Sequence, residues 1–179
     1  MILTDKKILE AIQKGDIVID PFDIDSLGSN SYDVHLGRYI GVYEEDILDV
    51  KKENKLKIFE IPDEGLMLLP SRLYLGVTKE YTETHKYVPF LEGKSSIGRL
   101  GIDIHATAGK GDVGFCNYWT LEISVKQPVV VYADMPIGQL IYFEISGDIG
   151  VPYNTKPTAK YTQKTPYPVG SMMYKNFKK

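Results

Sequence analysis

The sequence predicts a mainly β protein, a sandwich, jelly roll or small barrel, on three observations. Apolar and polar residues alternate in several short runs, and turn residues separate those runs at short spacing. The composition is also turn-rich and tyrosine-rich, with 10 prolines, 16 glycines and 13 tyrosines. A chain of 179 residues has room for one domain with a real core, and 43% hydrophobic with 25% charged residues is globular rather than disordered composition.

The one well-signalled helix comes first. Thr4 can cap it, Leu3 and Ile8 are spaced as a hydrophobic staple, and Gly15 ends it, leaving about ten helical residues. Beyond Gly15 the period changes to two. Tyr32, Val34 and Leu36 alternate with Asp33 and His35. Residues 115–125 read as one strand, with Trp119, Leu121, Ile123 and Val125 on one face and Thr120, Glu122 and Ser124 on the other. Further strand-like runs lie at 38–43, 66–69, 74–78, 102–105, 129–132 and 139–145, and Pro62-Asp63-Glu64-Gly65 and Met135-Pro136-Ile137-Gly138 read as turns. Residues 1–148 show no repeat and no linker. Residues 149–179, rich in Pro, Lys, Thr and Tyr with no clear period, read as an arm ordered by contact with something else.

Charge divides the chain at the same place. The net charge is −3, yet Lys156, Lys160, Lys164, Lys175, Lys178 and Lys179 follow Asp148 with no acid among them, so 15 of the 21 bases face all 24 acids in the body. A basic arm on an acidic body expects an anionic ligand, or folds back on its own core. No apolar run approaches the roughly 20 residues of a membrane helix, and the start lacks a signal-peptide core. A single cysteine, Cys116, excludes an intrachain disulfide. The expectation is a soluble, cytoplasmic protein with no membrane partner.

Two glycine motifs mislead. Gly93-Lys94-Ser95 suggests a phosphate loop, but Val88 stands where that motif needs its first glycine, and no helix pattern follows. Residues 109–114 match GxGxxG literally, yet a strand pattern follows where a dinucleotide fingerprint needs a helix. Metal chemistry finds no sequence support: His35, His85 and His105 are not at i,i+4 spacing, and there is no CxxC pair. Cys116 has no base beside it in sequence and reads as a buried or indifferent thiol, and His105 as a structural residue.

The dense polar segment is 93–122. Lys94, Ser95, Ser96 and Arg99, bracketed by Gly93 and Gly101, offer hydroxyls, an ammonium and a guanidinium fork to an anion or a water, or form a solvated loop. Glu122 lies mid-strand on a face shared with Thr120 and Ser124, so its carboxylate lines either solvent or a cleft. Partial burial there would make it a usable general base.

Together, residues 92–101 (EGKSSIGRLG), His105-Ala106-Thr107-Ala108-Gly109, Asp112-Val113-Gly114-Phe115 and Thr120-Leu121-Glu122 resemble the dCTP deaminase family, the deaminating branch of the trimeric dUTPase fold. The resemblance extends to Leu3-Thr4-Asp5, Ile19-Asp20-Pro21-Phe22, residues 31–37, Ile137-Gly138-Gln139-Leu140, and Pro152-Tyr153-Asn154 with Ala159-Lys160-Tyr161 in the arm. It implies a distorted β jelly-roll homotrimer with active sites at subunit interfaces. It implies zinc-free deamination of dCTP to dUTP and ammonia, supplying thymidylate synthesis, with Mg²⁺ carried on the triphosphate and no nucleic-acid partner.

Residue by residue, Glu122 matches the family's general base, and Ser95 and Arg99 match residues that position the water and the reacting base. Lys94, Ser95, Ser96 and Arg99 match phosphate contacts, Asp112 the partner of the sugar 3′-hydroxyl, and Thr120, Leu121 and Glu122 the strand that reads the pyrimidine edge. Tyr153 and Lys160 match arm residues on the nucleotide, which implies that the arm orders over bound substrate. Either Gln163 or Lys164 reaches the triphosphate.

This chain departs from the family pattern at Lys94, where arginine is more usual, and at Gly111, where a bulky residue is common and glycine would loosen a loop. Gln163 comes one residue earlier than the usual spacing. Thr107-Ala108-Gly109 is similar to bifunctional members, which release dUMP and pyrophosphate. A dUTP diphosphatase, using Asp112 as base, and a nucleotide-binding or structural trimer without turnover are the other readings.

Overall fold

In the computed structural model, which describes residues 1–177, helix α1 (Asp5–Gln13) buries Ile8 and Ala11 against the first strand. Thr4 is its N-cap residue, but the hydroxyl makes no capping hydrogen bond. The first turn closes instead through the Ile8 N–H on the Thr4 carbonyl at 2.8 Å. Gly15, at φ +73°, ends the helix as expected. Lys178 and Lys179, the last bases of the arm, lie outside the described residues.

Thirteen strands follow among the described residues: β1 (Ile17–Asp20), β2 (Tyr32–His35), β3 (Tyr39–Tyr43), β4 (Leu56–Glu60), β5 (Leu66–Leu68), β6 (Tyr74–Val77), β7 (Tyr81–Thr84), β8 (Val88–Gly93), β9 (Ile102–Asp103), β10 (Cys116–Asn117), β11 (Thr120–Val125), β12 (Val129–Val131) and β13 (Pro136–Phe143). They pair antiparallel in four small sheets, ordered β4-β3-β6-β11-β9, β2-β13-β8, β1-β7-β10 and β12-β5. This is the mainly β class that the periodicity predicts, with no closed barrel among the described strands. The nearest thing to a continuous wall is the five-stranded sheet. The alternating residues do form the core: Tyr32, Val34, Leu36, Leu121 and Ile123 are all fully buried. No helix among the described residues is long and apolar enough to cross a membrane.

Several elements differ from the sequence reading, each for a physical reason. Strands β1, β4, β7 and β8 carry weak or broken patterns. In β7 the inward positions are Thr82 and Thr84, 4% and 2% exposed, which look polar in sequence but bond inside the core. Pro89 interrupts β8. Residues 115–125 are two strands, not one: β10 pairs with β7 and β11 with β6, and Asn117 turns the chain between them by accepting the Tyr118 N–H at 2.9 Å. Residues 135–138 are not a turn. Asp134, at φ +62°, makes the reversal, and Pro136 opens β13 with a bulge before Gly138. A helical turn, α2 (Ser95–Gly98), does follow Gly93-Lys94, although Val88 sits in β8 and the phosphate-loop pattern remains incomplete.

Gly111 does not loosen its loop. A Cβ there would stand 2.6 Å from Trp119 Cη2 and 2.9 Å from Pro89 Cγ, so the absent side chain is what lets the loop close on the indole. Trp119 itself is held by its Nε1–H on Thr82 Oγ1 at 3.0 Å.

The arm folds back on its own chain. The Tyr153 N–H donates to the Val113 carbonyl at 2.8 Å. Asn117, 3% exposed, donates from Nδ2 to the carbonyls of Tyr161 (3.2 Å) and Gln163 (2.9 Å) and accepts the Thr165 N–H at 3.2 Å. Farther along, the Val169 N–H reaches Thr120 Oγ1 at 3.1 Å and the Ser171 N–H reaches the Tyr43 hydroxyl at 2.8 Å. The contact that orders the arm is therefore with the core, not only with something else.

Candidate active site

Closing the arm over the five-stranded sheet encloses a cleft of about 670 Å³. Strand β11 supplies its floor. Alternation along β11 buries Leu121 and Ile123 and turns Thr120 and Glu122 toward the cleft. Glu122 is half-buried, and its Oε2 accepts the Ala106 N–H at 2.9 Å. Its own N–H donates to the Ile104 carbonyl at 2.8 Å, so the loop after β9 is stitched to β11 on both sides of this residue.

Of the residues singled out in the sequence, the cleft gathers Glu122, Thr120, Asp112, Tyr153 and Lys160. Asp112 Oδ1 takes the Lys110 ammonium at 2.7 Å, and Tyr153 braces the arm by accepting the Tyr161 N–H on its hydroxyl at 3.0 Å. Leu121 is fully buried, so its side chain is not offered to a ligand. Gln163 and Lys164 do not line the cleft. The Gln163 carbonyl is taken by Asn117, and the Lys164 ammonium rests 3.6 Å from the Tyr81 ring centroid.

The segment 94–99 is elsewhere on the surface. None of Lys94, Ser95, Ser96 and Arg99 lines the cleft of its own chain. Lys94 pairs with Asp33, and Ile97 anchors α2 in the core. Ser95, Ser96 and Arg99 are exposed, and no described residue bonds the Arg99 guanidinium or either serine hydroxyl. Within one chain, segment 94–99 and the Glu122 cleft therefore do not meet.

Three contributors escaped the sequence reading. Asn117 is signalled only by an amide at an inward register position, opposite Thr82. Lys110 stands two residues before Asp112, in a segment set aside as a turn. The Ala106 N–H is backbone and leaves no side-chain signal.

A chain with this cleft can be set beside known proteins. The profile of the family described as "dCTP deaminase-like" matches residues 2–145. The chain belongs to the dCTP deaminase-like family. Among relatives of the family, "dCTP deaminase, dUMP-forming" of Clostridium acetobutylicum is 49% identical over 177 residues, 99% of each chain. The protein of the same name from Leptospira biflexa is 48% identical over 179 residues, 100% of this chain and 99% of that one. The solved 2'-deoxycytidine 5'-triphosphate deaminase from Agrobacterium tumefaciens matches with a TM-score of 0.63 at 21% identity, over 79% of this chain and 47% of that one, a likeness of fold. The relatives' names carry dUMP as product, where the sequence reading put dUTP first.

Proposed function

We propose that this dCTP deaminase-like chain hydrolyses dCTP to dUMP, ammonia and pyrophosphate, in two steps at one site. The observation that supports it is a half-buried strand carboxylate, Glu122, fixed by the Ala106 N–H at the floor of a cleft, in a chain 49% identical to a dUMP-forming relative.

Water is a poor nucleophile, and neither histidine nor cysteine lines the cleft, so a carboxylate is the group available to take its proton. Glu122 removes that proton and passes it to N3 as hydroxide adds to C4 of the cytosine ring. The carboxylate then takes the proton of the new C4 hydroxyl and gives it to the amine, which leaves as ammonia as the C4–N bond breaks and the C4=O bond forms. A positioned acid–base group contributes roughly 10²–10⁴-fold, and the remaining acceleration comes from orientation and electrostatics. A second water then attacks the triphosphate and releases pyrophosphate, with Asp112 close to the sugar end.

Mg²⁺ enters as part of the substrate complex, coordinated by phosphate oxygens and water. Lys110 and Lys160 supply the countercharge in the cleft. The unpaired Ser95, Ser96 and Arg99 serve the cleft of a neighbouring copy, which makes the working unit an oligomer, a homotrimer by family resemblance.

The test is a product assay with dCTP and Mg²⁺. Ammonia, dUMP and pyrophosphate in equal amounts are expected. Ammonia with accumulating dUTP identifies a monofunctional deaminase, and pyrophosphate from dUTP without ammonia from dCTP a diphosphatase. No product from either nucleotide leaves a binding protein.

A further inference from the structure

Outside the cleft, strand β7, the bend that follows it and strand β10 bring three different donor atoms together. Glu83 lies on β7, and His85 is the first residue past Thr84, where that strand ends. Cys116 lies directly opposite Glu83 in the antiparallel register. A carboxylate oxygen of Glu83, a ring nitrogen of His85 and the Cys116 sulfur all lie within 4.8 Å of one another. None of the three lines the cleft.

The cluster is held from behind. The Tyr81 hydroxyl donates to Glu83 Oε1 at 2.7 Å, leaving Oε2 turned to His85 Nε2 at 2.8 Å. The His85 N–H bonds the Asp16 carbonyl at 2.9 Å, which fixes the backbone from which the imidazole projects. The Cys116 thiol has a long contact to the Gly114 carbonyl at 3.4 Å. Partners of this kind orient ligands around a metal.

We propose that Glu83, His85 and Cys116 form a zinc site, separate from the nucleotide cleft, with water as the fourth ligand. The donor set selects the metal. Thiolate and imidazole suit zinc, whereas magnesium and calcium take oxygen ligands. The dimensions fit as well. Tetrahedral zinc with ordinary bond lengths holds its ligand atoms about 3.3–3.8 Å apart, within reach of small side-chain rotations from this cluster.

The exchange balances without any redox change. Cys116 loses its thiol proton to solvent, and the imidazole proton moves from Nε2 to Nδ1 so that the Nε2 lone pair meets the metal. Thiolate and carboxylate then offset the two charges of the ion. Bound zinc ties β10 to β7 beside Tyr81, the ring on which Lys164 of the arm rests. Sequence spacing concealed the site, because ligands drawn from two paired strands and the bend beside them need neither i,i+4 spacing nor a CxxC pair.

The test uses the full chain, kept reduced and titrated with Co²⁺ while the near-ultraviolet thiolate-to-cobalt band is followed. The proposal expects a band that saturates at one Co²⁺ per chain and is competed away by Zn²⁺. It also expects the band to vanish in Cys116→Ser, and affinity to fall by about tenfold or more in both His85→Ala and Glu83→Gln. No band, or affinity kept within about tenfold in either of the last two variants, overturns it. Circular dichroism checks that the variants fold. Should Cys116→Ser not fold, the wild-type band with the other two variants still decides.

Discussion

Glu122 and Ala106 are joined by a single hydrogen bond, the Ala106 N–H on Glu122 Oε2 at 2.9 Å. That bond occupies one carboxylate oxygen with a donor that carries no exchangeable role. No described residue bonds Oε1, so that oxygen stays available to a water in the cleft. A strand carboxylate is in this way held in one orientation at the floor of the cleft, as the proposed base role requires.

Replacing Glu122 by Gln separates these two roles. The amide oxygen still accepts the Ala106 N–H, so the loop after β9 keeps its place, but the side chain no longer takes a proton. Ammonia release from dCTP is expected to fall by roughly 10²–10⁴-fold, with dCTP affinity changed only a few-fold. Ammonia assays beside equilibrium binding check this. Turnover within about tenfold of wild type would remove Glu122 from the base role.

The placement of Arg99 away from the cleft of its own chain predicts complementation. Arg99→Ala and Glu122→Gln chains are each expected to be inactive alone. In the proposed homotrimer, every mixed assembly has one site of three that combines an intact Glu122 with an intact Arg99 from a neighbour, so about a third of the wild-type rate should return. Co-expressing two differently tagged chains and assaying the doubly purified fraction measures this. No recovery in a mixed oligomer would mean that both residues act within one chain.

The strands with clean period-two patterns, β2 and β11, were legible because burial and polarity alternate together there, as with Leu121 and Ile123 against Thr120 and Glu122. Strand β7 was not, since Thr82 and Thr84 satisfy their hydroxyls inside the core and so look like surface residues in sequence. The floor of the cleft followed from one strand. The clamp on the arm did not, because Asn117 acts through backbone carbonyls of Tyr161 and Gln163, which any sequence would supply. Segment 94–99 was recognisable by its residues, but only the fold shows that it and Glu122 stand apart.

Gly111 offers a stability test. An added methyl would meet the buried Trp119 ring at 2.6 Å, and that ring is tied to Thr82 and cannot withdraw freely. Gly111→Ala is expected to cost about 1–3 kcal/mol in urea unfolding, the usual range for overpacking. An unchanged midpoint would show that the loop carries slack.

Acid should loosen the first helix. Hydrogen bonds from Lys14 and then Lys7 hold the Glu10 carboxyl down to about 2 from its ordinary 4.5. A lowered folded-state value means the contribution is present above pH 4.5 and is lost as the pH falls toward about 2. Both partners are exposed, so the effect is small and weakens with salt. Melting temperatures across that window should fall less steeply for Glu10→Gln than for wild type at low salt, and alike at high salt. Equal slopes at low salt would refute the contribution.

Asn117 controls the arm. Its amide bonds two arm carbonyls and one arm N–H from a nearly inaccessible position, and Asn117→Ala leaves all three without that partner. Each unpaired buried group costs about 1–3 kcal/mol, which the chain escapes by letting the arm swing into water. Lys160 and Lys164 flank these contacts, so trypsin should cut there about tenfold faster or more in the variant, while the sheets stay resistant. Asn117→Asp keeps the acceptor for Thr165 but loses both donors, and its cutting rate should fall between the two. Added dCTP, by giving the arm lysines phosphate to hold, is expected to slow cutting of the Ala variant toward the wild-type rate. Equal cutting of wild type and Asn117→Ala without nucleotide would show that the arm is held by its other contacts, at Thr120 and Tyr43.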